Sequence, residues 1–558
     1  MLRRCGSLLT GFLIIYLFST LTINAQARGT GTISGKVSLG GKPGKGVPVT
    51  ASLSDNTFPP KPAAATATTD DEGHFKLSGL AAGRYTVAPY QPKEVIPGST
   101  RWESGQTITL TDGEVADKVD FDLSRGGVIT GRVTGPDGRP LVEQRVTIES
   151  ATDPKTNFGG MMGTEMYQTD DRGIFRIYGL PAGKYVVSVG EEKDGSTQTY
   201  GMGQGGYYPR TFHPGVVERS EAKVIELSEG GEEAAIDITL GPREKTYSIS
   251  GRMVDEATGD PAPDVSVGYG KIKPGETSVN NFGSSSKSDV QGKFRIEGIK
   301  PGNYAIFVAA FGRDNDDAKT SDPVQVQITD GDIADIEVKV RQGISIDGTV
   351  VVEGNPDPAA LAKVPQLTVA AWGRSSGQIS APNYRSSKIA ADDSFHFKGL
   401  AAGKLGFILS GRPDSPQGFT LLRVEQNGSP SASHEIDLLE GAASVNVRLV
   451  LAYGTGSIRG QITIVGGTLP PTARVWASAH GAGQDSGHGV PVDARGRFWI
   501  ENLPAGEYMV SVFADLSGTG TGGTHSGESS KVSVSNANET NVMVILDLAP
   551  KQPGGIPQ

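Results

Sequence analysis

Few groups in this 558-residue chain have the types and spacing that chemistry needs. His525-Ser-Gly-Glu528 has the spacing of half a zinc ligand set. Completing it takes a later His within a large α/β domain, and only 30 residues follow. Gly373-Arg-Ser375-Ser-Gly377 fits the pattern that lifts a nucleophilic serine onto a strand-to-helix turn, but here it follows a sandwich strand. The seven histidines, His74, His213, His396, His434, His480, His488 and His525, show no metal-ligand spacing. Acidic turns at Asp70-Asp71-Glu72, Asp170-Asp171 and Asp392-Asp393, with Asp314-Asn-Asp-Asp317, offer oxygens for a calcium ion. They lack an ordered loop of alternating ligands and read as solvated turns. The expectation is a chain with no active site, no cofactor and no metal.

Planar rings are the remaining candidates, because an aromatic face stacks on the C–H face of a sugar. One group lies in Gly195 to Gly215, which holds Tyr200, Tyr207, Tyr208, Phe212 and His213. Phe158 and Tyr167, with Met161, Met162 and Met166, sit in a neighbouring loop. The competing reading packs these rings against their own flank or a neighbouring unit. The second group is Trp476 and Trp499. Val475 and Ala477 face inward, as do Phe498 and Ile500, so strand alternation turns both indoles outward. Two outward Trp on one small unit suggest a binding face, with contact to the preceding unit as the alternative. Trp102 and Trp372 read as loop or strand-end residues with weaker claims.

The elements that must position such rings follow from composition. The chain has 77 Gly and 34 Pro, with 36% hydrophobic and 20% charged residues. That mix suits a turn-rich all-β array and is too evenly apolar for a disordered tail. A net charge of −10 argues against a nucleic-acid groove or an anionic membrane as partner. Residues 1–27 read as an export signal. Arg3 and Arg4 precede the apolar stretch Leu8 to Leu21, and Ala25-Gln26-Ala27 supplies small residues for cleavage. Fourteen residues fall short of the roughly 20 that cross a bilayer, and no second stretch of that length follows, so no membrane insertion is expected after cleavage. Cys5 is the only cysteine. The mature chain therefore has no disulfide, thiolate metal site or cysteine nucleophile, and must be held by its sheet cores.

One pattern recurs five times. An opening strand reads Ile33-x-Gly35-x-Val37, Ile129-x-Gly131-x-Val133, Ile249-x-Gly251-x-Met253, Ile346-x-Gly348-x-Val350 and Ile458-x-Gly460-x-Ile462. The alternation puts these residues on one strand face, where Gly leaves room for a neighbour's side chain. A second alternating strand follows, then the run Asp170-x-x-Gly173-x-Phe175-x-Ile177-x-Gly179-Leu180-x-Ala-Gly183-x-Tyr185-x-Val187. The first, third and fifth copies keep it in register, with Asn502 replacing one Gly of the fifth. The fourth is eroded, with Asp393 in place of the turn Gly and Leu405 in place of Tyr. The pattern predicts turn, strand, turn, strand. The Asp bonds a turn amide, the Gly takes a positive φ, and the Tyr buries its ring and returns its hydroxyl to the backbone. A closing alternating strand ends each copy, for example Ile236-Ile238-Leu240.

These runs resemble the carboxypeptidase regulatory-like family over nearly all of the mature chain. The resemblance implies prealbumin-like or starch-binding-like Greek-key sandwiches, related to the B-type repeats of bacterial surface adhesins, that serve as non-catalytic accessory, adhesive or carbohydrate-binding modules. Adhesin relatives often carry a Lys–Asn isopeptide bond promoted by a Glu after the Tyr strand. No Glu stands there after Tyr85 or Tyr304, so that bond is not expected. The chain thus reads as five tandem β-sandwiches at 30–124, 127–241 (with the aromatic insertion 195–215), 246–341, 344–451 and 455–549, then a tail, 550–558. Linkers of a few residues predict an elongated, semi-stiff, monomeric string. The expected function is binding of a polysaccharide or cell-surface protein, exported to the periplasm, the cell surface or the medium. The alternatives are a passive stalk or adhesion spacer, and an accessory module of a peptidase or outer-membrane receptor system.

Overall fold

The computed structural model describes residues 30–549 apart from 55–61, 91–93, 96–104, 153–166, 192–205, 310–317, 355, 411–415, 432, 471–472, 482–487 and 517–523. The export segment, the tail, Trp102, Phe158, Tyr200 and the 314–317 acidic turn lie outside the described residues. Among the described residues strand accounts for 61% and helix for 2%, an all-β fold. The Pro358 to Pro365 stretch holds one helical turn, Pro358–Leu361, and a 3-10 turn, Val364–Gln366. Among the described residues no helix is long and apolar enough to cross a membrane.

Every repeat is built the same way. The opening strand (Gly31–Leu39, Gly127–Thr134, Tyr247–Asp255, Ile344–Glu353, Gly456–Val465) pairs antiparallel with the Phe-containing strand and parallel with the closing strand. The second strand pairs antiparallel with the Tyr-position strand (Gly83–Pro89, Gly183–Val189, Gly302–Val308, Gly403–Ser410, Gly506–Asp515), which in turn pairs with a further strand. The two sheets enclose one apolar core per repeat, five in all. With no cysteine after Cys5, these cores carry the fold.

The recurring residues have specific physical work. A Cβ on Gly35, Gly131 or Gly251 would lie 2.0 to 2.1 Å from the carbonyl oxygen of Val119, Ile236 or Ile336 in the closing segment. On Gly348 or Gly460 it would lie within 2.0 or 1.8 Å of the Phe395 or Phe498 ring. The absent side chain is therefore filled by backbone in three repeats and by a ring in two. The Asp turn forms as read: Asp70, Asp170, Asp289 and Asp493 each accept two main-chain N–H groups through Oδ1, those of Asp170 at 3.0 and 2.8 Å. The Gly after it is left-handed, and in the fourth repeat Asp393 itself takes φ +60°. Gly79 and its equivalents differ from the expected turn. Opposite Gly31 and Thr32 stand Leu80 and Ser78, so Gly79 is an extra residue in a β-bulge and the chain reverses only after Leu80. Asn502 fills the same position at φ +61°, which Asn tolerates. The hydroxyls of Tyr85, Tyr185 and Tyr508 donate to the carbonyl oxygens of Ala81, Pro181 and Pro504, four residues back.

The repeats also touch one another, and the string expected from the short linkers is not what forms. The second and third are joined by Tyr207, which pairs with Glu244, and by the Lys300–Glu191 ion pair at 2.7 Å. The third and fourth share Ile272, Val279, Phe307 and Ala381 in a small apolar cluster. Val279 N–H donates to the Ser380 oxygen at 2.9 Å. Between the fourth and fifth, the Thr420 hydroxyl lies 3.5 Å from His488 Nε2. The fifth then returns to the first, where Thr109 N–H donates to Asp493 at 3.1 Å and Arg495 pairs with Glu114 at 2.8 Å. The chain closes on itself. Linker length limits how far modules tumble, but it does not set the direction in which each docks.

Two stability measurements check this account. Gly460→Ala forces a methyl into the Phe498 ring and should destabilise the fifth sandwich by about 3 kcal/mol, seen as a lowered calorimetric transition; Phe498→Leu in the same chain should recover part of it. Tyr185→Phe removes one side chain-to-backbone hydrogen bond and should cost about 1 kcal/mol. An unchanged transition in either variant contradicts the role given to that residue.

Candidate functional site

The aromatic group of the second repeat is turned inward. Tyr207 and Phe212 are buried, and Tyr208 is half-buried against the repeat's core. Tyr207 exchanges main-chain hydrogen bonds with Glu244, at 3.0 and 2.8 Å, and its hydroxyl donates to Glu244 Oε2 at 2.6 Å. The Lys300 ammonium of the third repeat lies 4.4 Å from the centre of its ring. Burial, reinforced by the Glu244 carboxylate, pushes the Tyr207 hydroxyl well above the usual phenol range. Arg210 covers Phe212 at 5.1 Å, and Arg243 covers Tyr208 at 5.4 Å. Glu149, buried beneath, holds both Arg210 and Arg219. The expected open platform is thus corrected for these three rings. Cations cover all three rings, and the Tyr207 hydroxyl, bonded to Glu244 under the Lys300 ammonium, draws that ring into the joint with the third repeat. Tyr167 is likewise a core residue.

Trp476 and Trp499 do not converge. Trp476 is on the strand Arg474–Gly481, and Trp499 is on Arg497–Leu503, which belongs to the other sheet of the same sandwich. Outward side chains from the two sheets face opposite ways, so the two indoles cannot share a plane. Both are half-buried. Arg459 lies 4.6 Å over the Trp499 ring, and Trp499 Nε1 is buried without a hydrogen-bond partner. The alternation argument placed each side chain correctly with respect to its own strand, but periodicity does not say which sheet a strand joins.

Of the three described tryptophans, the one that faces solvent is Trp372, 54% exposed on the strand Thr368–Arg374. Val369 and Ala371 enter the core, so the alternation applied to Trp476 also turns Trp372 outward. It pairs across the sheet with Tyr384 on one side and Gly406 on the other. A Cβ on Gly406 would sit 3.4 Å from Trp372 Nε1 and 3.7 Å from Glu435 Cγ, and Gly406 is buried, so the glycine gives the indole and the Glu435 side chain room to lie against the strand. Ile408, 47% exposed, continues the apolar strip, and Lys404 and Asp437 are exposed across the next pair. A flat apolar ring on a rigid strand, edged by hydrogen-bonding groups, is suited to hold a ligand with one C–H face and a hydroxyl rim.

The polar candidates are placed as follows. Ser375 follows its strand into a loop, with its hydroxyl oxygen accepting from Ala381 N–H at 2.9 Å. Asp70, Glu72 and His74 bring their ligand atoms within 4.8 Å of one another, all exposed. Asp70 is committed to its turn, where the His74 amide holds its carboxyl below the usual range.

No protein-family model matches the chain. Three human proteins, BOS complex subunits NOMO1, NOMO2 and NOMO3, are each 22% identical over 304 residues, which is 53% of this chain. The chain spans about a fifth of the length of these curated relatives. Among solved structures, a streptococcal ancillary pilin is 13% identical, covering 56% of this chain and 98% of its own, with a TM-score of 0.23. The Bacillus anthracis TIE protein is 14% identical, covering 75% and 73%, with a TM-score of 0.15. The major pilin subunit BcpA of Bacillus cereus is 13% identical, covering 55% and 99%, also at 0.15.

Proposed function

We propose that the chain is an exported, non-catalytic array of β-sandwiches that holds a surface polymer, most directly a neutral glycan, on the Trp372 face of the fourth repeat. The observation that carries this reading is the solvent-facing indole of Trp372, seated against Gly406 between Tyr384 and Glu435. Stacking supplies affinity without charge, and Glu435 and Asp437 offer acceptors to sugar hydroxyls. The acidic balance of the chain disfavours polyanionic glycans.

The burial of Tyr207 and Phe212 and the shielding of Trp499 favour a second reading, a spacer whose aromatics serve its own packing and, at Tyr207, its joints. A polysaccharide-retention screen on the mature chain separates the two. On the first reading at least one neutral glycan is retained, Trp372→Ala weakens it about tenfold, a loss of roughly 1.4 kcal/mol, and Trp476→Ala leaves it unchanged. Retention of no glycan leaves the spacer. Retention that survives Trp372→Ala places the site elsewhere.

A further inference from the structure

The Asp turn recurs in the repeats, but among the described contacts only the fifth copy reaches another repeat through it. In the first two copies the Asp side chain is 53% and 40% exposed, and its second oxygen faces only a neighbour on its own turn, His74 or Arg172. In the fifth, Asp493-Ala494-Arg495-Gly496-Arg497 carries two arginines, and the Asp493 side chain is fully buried. Oδ1 keeps the two turn amides while Oδ2 accepts Thr109 N–H of the first repeat. Arg495 Nη2 donates to the Thr109 carbonyl oxygen at 2.6 Å. Thr109 lies on the edge strand Gln106–Leu110, so one carboxylate and one guanidinium satisfy the outward N–H and C=O that a neighbouring strand would otherwise take.

Glu114 completes the contact. Its Oε2 accepts from Thr111 N–H and Oγ1 at 2.9 and 3.0 Å, which orients the carboxylate, and its Oε1 receives both Arg495 and Arg497. Glu114, Arg495 and Arg497 are 16, 25 and 27% exposed, and Thr109 is 1% exposed. Burial raises the Asp493 carboxyl to about 6, against the opposing pull of the Arg497 and Thr109 amides. Farther along the same strand face, Trp499 and Glu501 follow Arg497, and the Arg84 charge of the first repeat acts on Glu501. Partly buried ion pairs like these cost desolvation and are worth more as a geometric key than as stabilisation.

We propose that the Asp-x-Arg-Gly-Arg turn and the Thr109–Glu114 edge form a self-recognition latch, which closes the array within one chain and, exchanged between copies, joins chains head to tail. The two surfaces differ, so the contact is heterologous. Made in cis it gives a ring, and made in trans it links chains. Tethering favours the closed form at ordinary concentrations, because the two halves share one chain. Opening it uncovers an unpaired strand edge.

The test uses residues 28–558, which contain no cysteine, with spin labels at Asp112→Cys and Ala494→Cys. Double electron–electron resonance should give one narrow, short distance in the parent. Glu114→Arg, and separately Arg495→Glu with Arg497→Glu, should lengthen and broaden it, and combining all three charge reversals should restore it. Unlabelled, the two opened variants have complementary halves. Mixed together they should approach twice the monomer mass by light scattering, whereas each alone stays monomeric. A long, broad distance in the parent, or a short one that survives charge reversal, overturns the latch. Failure of the mixture to associate overturns the exchange. Unchanged thermal transitions in the variants show that lengthening is not unfolding.

Discussion

The sandwiches depend on a place where a side chain cannot be. At the central glycine of each opening strand, a carbonyl oxygen or an aromatic ring stands about 2 Å from where a Cβ would be. The opening strand is the one that pairs with both neighbours of its sheet, antiparallel to the Phe strand and parallel to the closing strand. Its close approach fixes the register of both. From that register follow the inward set of Ile, Phe and Val, the bulge at Gly79 and its equivalents, and the hydrogen bond from Tyr back to the reversal. Without disulfides, dense packing at this seam is what each repeat has to hold it.

The contacts between repeats are of another kind. Apart from the small cluster around Phe307 and Ala381, those described are largely hydrogen bonds, ion pairs and cations over rings. Such contacts give little net stability but admit few alternative geometries. Tyr207 shows the logic: a ring that could have met a ligand is held by Glu244 beneath an ammonium. The same chemistry closes the first repeat onto the fifth, while the fourth keeps an indole facing water.

Much of a single repeat was legible in the sequence, because its determinants are local. The Asp turn needs an oxygen two and four residues before the amides it accepts, and the alternation of Phe175 and Ile177 needs only a pleat. Glycines such as Gly79 predict a turn because positive φ looks alike in a turn and in a bulge; only the cross-strand partner tells them apart. The exposure of Trp372 is hidden in the sequence for a similar reason. The local pattern puts it at a strand end, yet the strand runs on to Arg374, and Gly406, against which the indole lies, is 34 residues away.

What the sequence by itself determined is the repeated unit: its strands, its turns, its buried stripe and the lack of any covalent staple after Cys5. These follow from residue type and spacing within a few residues of chain. Only the tertiary structure decided which outward rings share a face, which are spent in joints, and that Asp493, 384 positions from Thr109, caps its backbone. Such pairings depend on the angles at which successive sandwiches dock. Those angles are set by long-range charge and shape complementarity, which leaves no periodic trace in the chain.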